Sequence, residues 1–449
     1  MDEAYYWGWS KSFEFGYYSK PPMIAWVIGV FTQLCSDHWF CVKLPALILH
    51  PVTSVVIYLI SKELFDEETG FWSAITYITL PSVSLSSMII STDVLLLLFW
   101  SLTMLMFVKA IKTDNNIYWF GAALAAGCGL LSKYTMIIFL PSVFLYLAFS
   151  NRHRAVLKNP KLYLTLIIAA LIYIPNLIWN YNHHFVSFMH TKEISEIERD
   201  LFHPEKMIEF LAAQFAVFGP VTFGALIYLL FKRSLYRYEN YKLLYVFTFT
   251  FLGLITLQAL LSRAFANWAA PSYVAATVLV ASYLYREKRT LLKAAIAINI
   301  GIAVMFYHYH SIAKILDVEL TSKTDPYKRV LGWSSLAQEV EKILKAHPGY
   351  KLLCDDREIM AQLVYYIKPH PFDAGYWNMD GSLSNHYELT IDMNEKVGEN
   401  FILVTKRSSI GDIASKFESV KKLGTIKIRL YKDYVRVYHL YALENFKGY

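Results

Sequence analysis

Long apolar segments alternate with short polar connections between residues 41 and 309, and the pattern stops there. A helix needs about 20 apolar residues to cross a bilayer, within a range of roughly 17–25. By this measure the sequence predicts ten membrane spans, at 41–62, 70–90, 93–111, 117–132, 135–150, 161–179, 208–231, 241–261, 270–285 and 291–309. The apolar segment 22–36 is shorter than a span, and Pro21-Pro22 fixes its start.

Beyond residue 309 the pattern becomes that of a small α/β domain. It predicts helices at 335–346, 357–367 and 410–418, strands at 351–356 and 400–405, and one or two strands within 424–443. The expected fold is therefore an α-helical polytopic membrane protein with a C-terminal α/β domain. We expect a transmembrane domain at 1–309 and an extracytoplasmic domain at 310–449.

The composition agrees with a membrane protein. Of the 449 residues, 18% are charged and 55% hydrophobic, whereas soluble domains carry about 25% charged residues. The net charge of +7 is modest. No basic block is interleaved with exposed aromatic residues, which argues against nucleic-acid binding. The four cysteines (Cys35, Cys41, Cys128 and Cys354) lack CxxC spacing, so we expect packing residues rather than a zinc site or a disulfide framework.

The distribution of lysine and arginine predicts the orientation. If residue 41 lies outside, the inside loops carry fifteen of these residues and the outside loops five, which are Lys133, Lys192, Arg199, Lys206 and Arg263. Such a bias is typical of a bacterial inner membrane protein. A span at 22–36 would reverse the bias, so this segment is expected in the interface as an amphipathic or re-entrant helix. The N-terminus, the loop 180–207 and the C-terminal domain are then extracytoplasmic.

Two carboxylates stand at the start of the chain, beside aromatic residues. Asp2 and Glu3 precede Tyr5-Tyr6-Trp7, and Lys20 precedes the Pro21-Pro22 pair. Charged groups at a membrane surface are costly to desolvate and often mark chemistry. One carboxylate is therefore a candidate general base, with Tyr6 a candidate substrate contact. The alternative is an ordinary solvated terminus.

Asp93 and Lys133 lie between apolar runs on the same predicted face. Asp93 follows Ser91-Thr92, and it is a candidate second catalytic carboxylate or a helix N-cap. Lys133 is a candidate ligand for a phosphate at the membrane surface, or a lysine that extends to the headgroups. Together with Lys20, these residues suit a lipid-phosphate substrate.

Further candidates lie near the last two spans. Arg263 is a third cation on the outer face, and Asn267-Trp268 stands at an outer helix start. Trp268 either anchors the helix in the aromatic belt or contacts a sugar together with Asn267.

Other polar clusters carry no recognisable motif. The outer loop contains His183, His184, His190 and His203, whose spacing matches no HExxH or HxH signature. We expect solvated histidines there, and solvated or capping roles for Asp355, Asp356 and Asp373. The absence of GxGxxG and GxxxxGK[ST] leaves nucleotide chemistry unsupported.

The motifs together resemble those of the GT-C glycosyltransferases. DEAYYWGWS, GYYSKPPMIAW, STD before an apolar helix, GLLSKYT and FANWAAPSY are similar to the bacterial dolichyl-phosphate-mannose-protein mannosyltransferase-like and aminoarabinose-transferase-like proteins. The resemblance covers residues 1–310. The pattern around 355–390 also resembles the extracytoplasmic domain of bacterial members.

The resemblance implies an inverting transfer of a sugar from a polyprenyl-phosphate donor. The acceptor would be lipid A, an envelope glycan or a protein hydroxyl. By position, Asp2 matches the catalytic base, Asp93 the second acidic residue, and Lys20 and Lys133 the residues that hold the lipid phosphate. Members often have an acidic residue or a histidine, sometimes serving a metal, where this chain has Ser19. This departure puts metal dependence in doubt, and a divalent metal stays one of the alternatives.

Family members also have a span before the DE motif, which leads to the hypothesis that this chain is truncated or its start misplaced. Two alternatives to an active transferase remain. One is a polytopic transporter or flippase, although the sequence shows no second copy of the DEAYYW–KPP block as an inverted repeat would. The other is an inactive remnant.

Overall fold

A computed structural model describes residues 2–195 and 202–449 of the chain. The chain divides into two compact units. The smaller unit comprises the N-terminal segment through Phe13, Tyr17–Ser19 and His310–Tyr449, and the larger one Glu14–Gly16 and Lys20–Tyr309. The start of the chain thus folds with the C-terminal residues, which the predicted division at 309/310 did not foresee.

Helices dominate the first two thirds of the chain. In chain order they are α1 (Asp2–Trp9), α2 (Met23–Cys35), α3 (Trp39–Leu64), α4 (Glu67–Ile78), α5 (Pro81–Ser86), α6 (Thr92–Thr113), α7 (Asn116–Ser132), α8 (Phe139–Phe149), α9 (Pro160–Asn182), α10 (Val186–Ser195), α11 (Pro204–Val217), α12 (Pro220–Leu230), α13 (Glu239–Leu261), α14 (Ser272–Glu287), α15 (Arg289–Tyr307) and α16 (Tyr309–Ile315). Within the described part of the chain, five of them (α3, α6, α9, α13 and α15) are long and apolar enough to cross a membrane.

Helix occurs at every predicted span, but two of the spans are interrupted. Span 70–90 breaks between α4 and α5, and span 208–231 breaks between α11 and α12. In both cases a proline begins the second helix. Proline disfavours a helical conformation in the residue before it, so the first helix ends before the proline. Gly219 precedes Pro220 with φ of 89°. A Cβ there would lie 2.3 Å from the Asn299 side chain, so both the turn and the close packing require glycine.

Helix α14 lies at the centre of the larger unit. Every residue from Ser272 to Leu284 is buried, and the helix packs against α13, α4 and α12. A helix that is buried on all sides belongs to the interior of a bundle rather than to its lipid-facing surface. The short helix α2 packs against α3 and buries Ile24, Ala25 and Ile28. Its position at the membrane interface stays a prediction.

The C-terminal residues form a mixed α/β fold. The remaining helices are α17 (Trp333–Ala346), α18 (Arg357–Tyr366), α19 (His386–Thr390) and α20 (Gly411–Ala414), and the strands are β1 (Tyr350–Cys354), β2 (Gly375–Tyr376), β3 (Asn400–Thr405), β4 (Phe417–Tyr431) and β5 (Tyr434–Phe446). In the described residues the sheet order is β2-β1-β3-β5-β4, with β1 parallel to both β2 and β3, and β5 antiparallel to β3 and β4.

One predicted helix of this domain differs from the structure. The helix predicted at 410–418 is limited to α20, because Phe417 already begins β4 and pairs with Phe446. The segment 424–443 falls within the strands β4 and β5 of one hairpin, in agreement with the one or two strands predicted there. Helix α1 packs against α18, so the N-terminal motif forms part of this unit.

A disulfide joins Cys35 to Cys41, with the two Cα atoms 5.9 Å apart. The expectation that all cysteines are packing residues is therefore wrong for this pair. Cys35 ends α2 and Cys41 lies in the first turn of α3, and the short connection between the two helices brings them within bonding range. Cys128 and Cys354 are unpaired, and Cys354 is buried as expected.

Candidate active-site residues

Three aromatic residues of the N-terminal motif fix α1 on the smaller unit. Trp7 is fully buried, with its ring edge-on to Tyr365 at a centroid distance of 4.9 Å. Trp9 stacks on Tyr17 at 4.8 Å. The Tyr5 hydroxyl accepts a hydrogen bond from the backbone N–H of His386. The apolar part of the motif thus holds the helix that carries Asp2 and Glu3.

The two carboxylates lie in the first turn of α1, where negative charge is favourable beside free backbone N–H groups. The Asp2 side chain is 57% exposed, and its Oδ1 lies 3.8 Å from Nη2 of Arg357. Glu3 is half-buried. The arrangement leaves the Asp2 carboxylate open to a substrate while a cation stands beside it.

Arg357 was not a candidate from the sequence. It begins α18 directly after the Asp356 cap, and its guanidinium lies over the Tyr5 ring at 5.0 Å. Burial raises the pKa of the Tyr5 hydroxyl, which therefore stays neutral beneath the cation. The only signal was the family-like pattern around 355–390, which assigned no role to this residue.

Tyr6 lies inside the smaller unit. Its side chain is 7% exposed and its ring packs on Trp9 at a centroid distance of 4.9 Å. A role for Tyr6 in substrate binding stays a prediction, and the packing assigns its ring to the support of α1.

In the larger unit, the structure brings together three residues that the sequence singled out. Lys133 Nζ lies 2.6 Å from Asp93 Oδ1, and Asn267 Nδ2 donates to Asp93 Oδ2 at 3.0 Å. The side chains of Asp93 and Lys133 are each 16% exposed. Both oxygens of Asp93 are therefore bonded, and the pair carries no net charge.

The backbone explains why these groups meet. Ser91 is the N-cap of α6, so Asp93 stands in the first turn and its side chain is directed to other elements rather than capping the helix. Lys133 follows the last residue of α7 in an extended conformation. Asn267 lies in the 3₁₀ turn Ala266–Ala269. The N-cap interpretation of Asp93 is wrong, and Lys133 forms an ion pair with this carboxylate.

The remaining candidates of the larger unit are less closely connected. The guanidinium of Arg263 lies over the ring of Phe265 at 5.3 Å, and Trp268 meets the same ring edge-on at 5.4 Å. Trp268 is half-buried against the helical core. Lys20 is half-buried just before α2. Their roles in substrate binding stay predictions.

Two histidines of the segment predicted as an outer loop have local partners. His183 stacks on Trp179 at 4.0 Å, and His203 Nδ1 lies 3.3 Å from Glu205. Much of the predicted loop 180–207 is helix α10, while 196–201 lie outside the described residues. Among residues 2–195 and 202–449, no group of three or more histidine, cysteine or carboxylate side chains is placed to hold a metal ion.

The acidic residues of the C-terminal sheet have structural partners. Asp356 caps α18 through the backbone N–H of Ile359, as expected. Asp355 is mostly buried rather than solvated, and it accepts a hydrogen bond from Thr405 Oγ1 at 2.7 Å. Burial raises the pKa of the Asp355 carboxyl group. Asp373 is exposed, as the sequence suggested.

The larger unit contains apolar helices long enough to cross a membrane, and the smaller one has an α/β fold, which together are typical of a polytopic membrane protein with an additional domain. Residues 19–179 match the family model of the dolichyl-phosphate-mannose-protein mannosyltransferases. The chain is 32% identical to the lipid A galacturonosyltransferase RgtD of Rhizobium johnstonii, over 84% of this chain and 78% of that protein. The chain therefore belongs to the GT-C glycosyltransferases, in the family that includes this enzyme.

Two solved structures share the fold. ArnT from Cupriavidus metallidurans in the apo state has a TM-score of 0.66 at 13% identity, covering 98% of this chain and 93% of that one. The structure of ArnT bound to undecaprenyl phosphate has a TM-score of 0.64 with the same identity and coverage. The predicted fold class and the assignment as a glycosyltransferase are confirmed.

Proposed function

We propose that this glycosyltransferase moves a sugar from a polyprenyl-phosphate donor to a lipid A-type acceptor at the extracytoplasmic face of the bacterial inner membrane. The observation that carries the proposal is the 32% identity to RgtD, a lipid A galacturonosyltransferase, across 84% of the chain. The ArnT fold, with undecaprenyl phosphate bound in one of its structures, supports the class of donor.

Asp2 is the proposed general base. Its carboxylate accepts the proton of the acceptor hydroxyl while that oxygen forms a bond to the anomeric carbon. The bond from this carbon to the phosphate oxygen breaks, and the polyprenyl phosphate leaves with the electron pair. Phosphate departs as a stable anion, so no strong general acid is required. Attack in line with the departing group inverts the configuration.

Lys20 and Lys133 are the proposed ligands of the donor phosphate. A lysine ammonium group has three donors, and Asp93 occupies one of those of Lys133. The others remain for a phosphate oxygen, with Asp93 holding the side chain in place. Cations beside the leaving group stabilise the charge that develops on it in the transition state.

The disulfide supports the proposed orientation. Cys35 and Cys41 flank the connection between α2 and α3, and disulfides persist in oxidising compartments such as the bacterial periplasm. The disulfide thus supports the proposal that the beginning of α3 lies outside, as the lysine and arginine bias also suggests.

Reconstituted transfer tests the proposal. The purified chain in lipid vesicles is mixed with lipid A and undecaprenyl-phosphate-linked galacturonic acid, mannose or aminoarabinose, and mass spectrometry follows lipid A. We expect one donor to increase the mass of lipid A by one sugar residue. Movement of the sugar across the vesicle membrane without transfer would favour the transporter alternative. Transfer to a protein hydroxyl instead of to lipid A would show that the acceptor is a protein.

A further inference from the structure

A cavity of about 680 Å³ lies within the smaller unit, where the fold alone assigns no function. Its lining includes Lys328, Arg329, Trp333, Tyr434 and Arg436. These residues come from the 3₁₀ turn Lys328–Val330, the start of α17 and the start of β5. The hairpin that closes the sheet thus forms one wall.

Positive charge dominates the lining. Four cationic side chains (Lys328, Arg329, Lys406 and Arg436) face one carboxylate, Glu358. Lys406 is itself paired, at 2.8 Å from Asp356 and 3.6 Å from Glu358. The excess of positive charge therefore comes from Lys328, Arg329 and Arg436, which suits an anionic ligand.

One of these cations is fixed in place. Arg436 donates to the backbone carbonyls of Leu331 at 3.1 Å and Lys328 at 2.9 Å, and its guanidinium lies over the Trp333 ring at 4.5 Å. Trp333 is 3% exposed. A guanidinium held by a buried ring and two carbonyls needs little ordering when a ligand binds.

The cavity also offers an aromatic surface. Tyr434 is 37% exposed, and the Lys328 ammonium lies over its ring at 5.4 Å. The apolar face of a sugar ring can pack on such a surface while cations bind its acidic substituent. The cations alone would suit any anion, and the aromatic surface alone would suit any sugar. The two together suit a sugar that carries an acidic group.

The position in the sheet is a second, independent observation. Strands β1 and β3 run parallel, and Glu358 and Lys406 follow their carboxyl ends at Cys354 and Thr405. Open α/β sheets bind ligands at this end of their strands. Arg357, the neighbour of Glu358, contacts Asp2, so the first turn of α18 connects the cavity with the proposed base.

We propose that this cavity binds an anionic saccharide, namely the phosphate- or carboxylate-bearing sugar part of the glycolipid acceptor. The proposal rests on the proposed function only in taking the acceptor to be a glycolipid. The chemistry recognised is a sugar with an acidic substituent, which a soluble sugar phosphate shares.

The test measures binding to the full chain in nanodiscs of neutral lipid. The probes are the glucosamine disaccharide bisphosphate of lipid A, glucose 1-phosphate, and phosphatidylglycerol vesicles. The variant K328Q/R329Q removes two charges while keeping the backbone carbonyls that bind Arg436. The control K421Q/K447Q removes two charges from exposed positions of the same unit that do not line the cavity.

We expect K328Q/R329Q to weaken binding of the disaccharide bisphosphate by about tenfold or more, and the control to change it less than about twofold. The variant Y434A should also weaken binding of the disaccharide bisphosphate, because it removes the aromatic surface. The variant Y434F keeps the ring and should bind the disaccharide as the wild type does. In transfer to lipid A, the KM for the acceptor should rise with kcat nearly unchanged. Stronger binding of glucose 1-phosphate than of the disaccharide would identify a soluble ligand of the same chemistry.

Other outcomes overturn the inference. Unchanged binding and KM in K328Q/R329Q, with transfer intact, reject the cavity and leave the proposed function standing. Equal loss of affinity for phosphatidylglycerol vesicles in this variant would assign the patch to anionic membrane surfaces instead. The chain could bind the saccharide through Lys328 and Arg329 and yet transfer no sugar to lipid A. That result would support the binding role of the cavity and reject the proposed function.

Discussion

The two candidate carboxylates, Asp2 and Asp93, are held in opposite ways. Asp2 is 57% exposed, with one cation at 3.8 Å. Asp93 is 16% exposed, and its two oxygens are bonded to Lys133 and Asn267. A general base needs an oxygen open to the incoming proton, and only Asp2 has one without breaking an existing bond. Asp93 is better suited to positioning a lysine.

The two residues also differ in what holds them in place. Buried rings fix the backbone of α1, and the exposed Asp2 side chain has only the long contact with Arg357 described above. Asp93 is fixed by its own side-chain bonds. A substitution of Asp2 should therefore alter chemistry without altering the fold, whereas a substitution around Asp93 should alter both.

Asp2→Asn is the sharpest test of this difference. We expect the transfer rate to fall by about 10²–10⁴, the usual contribution of a general base. Thermal unfolding in detergent should be unchanged, because the exposed carboxylate makes no buried contact.

Glu3→Gln is the matched control for Asp2→Asn, since it removes the neighbouring charge from the same turn. It should keep most of the activity. A fully active Asp2→Asn enzyme would remove Asp2 from the mechanism, and loss of activity only in Glu3→Gln would transfer the role to Glu3.

Trp7→Ala tests whether buried rings hold α1. Truncation of a buried aromatic side chain costs about 3–5 kcal/mol. We expect faster hydrogen exchange in α1, and loss of activity together with it, while the helices of the larger unit stay protected. Trp7→Phe keeps a buried ring and should lose much less stability and activity than Trp7→Ala. Protection of α1 that equals the wild-type level in Trp7→Ala would contradict this role.

Lys133→Met tests the bonded carboxylate. Asp93 would keep its bond to Asn267 and lose its cation, at a cost of about 1–3 kcal/mol for a hydrogen bond to a charged group. The double variant Lys133→Met/Asp93→Asn should regain stability without regaining activity, and a double-mutant cycle measures the coupling. Additive effects on stability would show that the pair is not coupled.

Arg357→Gln should have the smallest effect. An exposed ion pair contributes about 0.2–1 kcal/mol, so the expected loss in transfer rate is less than about fivefold. Arg357→Lys keeps the charge, and its transfer rate should be closer to that of the wild type than the rate of Arg357→Gln. A loss comparable with that of Asp2→Asn would instead make Arg357 a substrate ligand.

Much of the fold follows from local sequence. Apolar runs predicted helix at each span, and the start of α6 lies within one residue of the predicted span 93–111, although the N-cap is Ser91 rather than Asp93. The breaks in spans 70–90 and 208–231 were not predicted. The average hydrophobicity of a segment stays high across a proline, so it does not show that a new helix begins there. The pair Cys35–Cys41 was missed because pairing depends on a turn between two helices and not on a motif.

The site was predicted in part. Asp93, Lys133 and Asn267 were each selected as candidates on one face, and the structure bonds them to one another. Arg357 was missed because its partner Asp2 lies at the other end of the chain. Tyr6 is predicted as a substrate contact because it stands near two carboxylates in the sequence. The structure packs its ring on Trp9, and the substrate contact stays a prediction.

Apolar length and charge along the chain were enough to predict the membrane class, helix in each apolar run and the charged residues at the ends of these runs. Both are properties of a local segment, so they can be read without knowing its neighbours. The packing of Tyr5, Trp7 and Trp9 with the C-terminal residues, and the bonds to Asp93 that leave Asp2 more exposed, became visible in the folded chain. Burial and ion pairing depend on residues that are distant in the chain, and no local pattern encodes which of two similar carboxylates receives a partner.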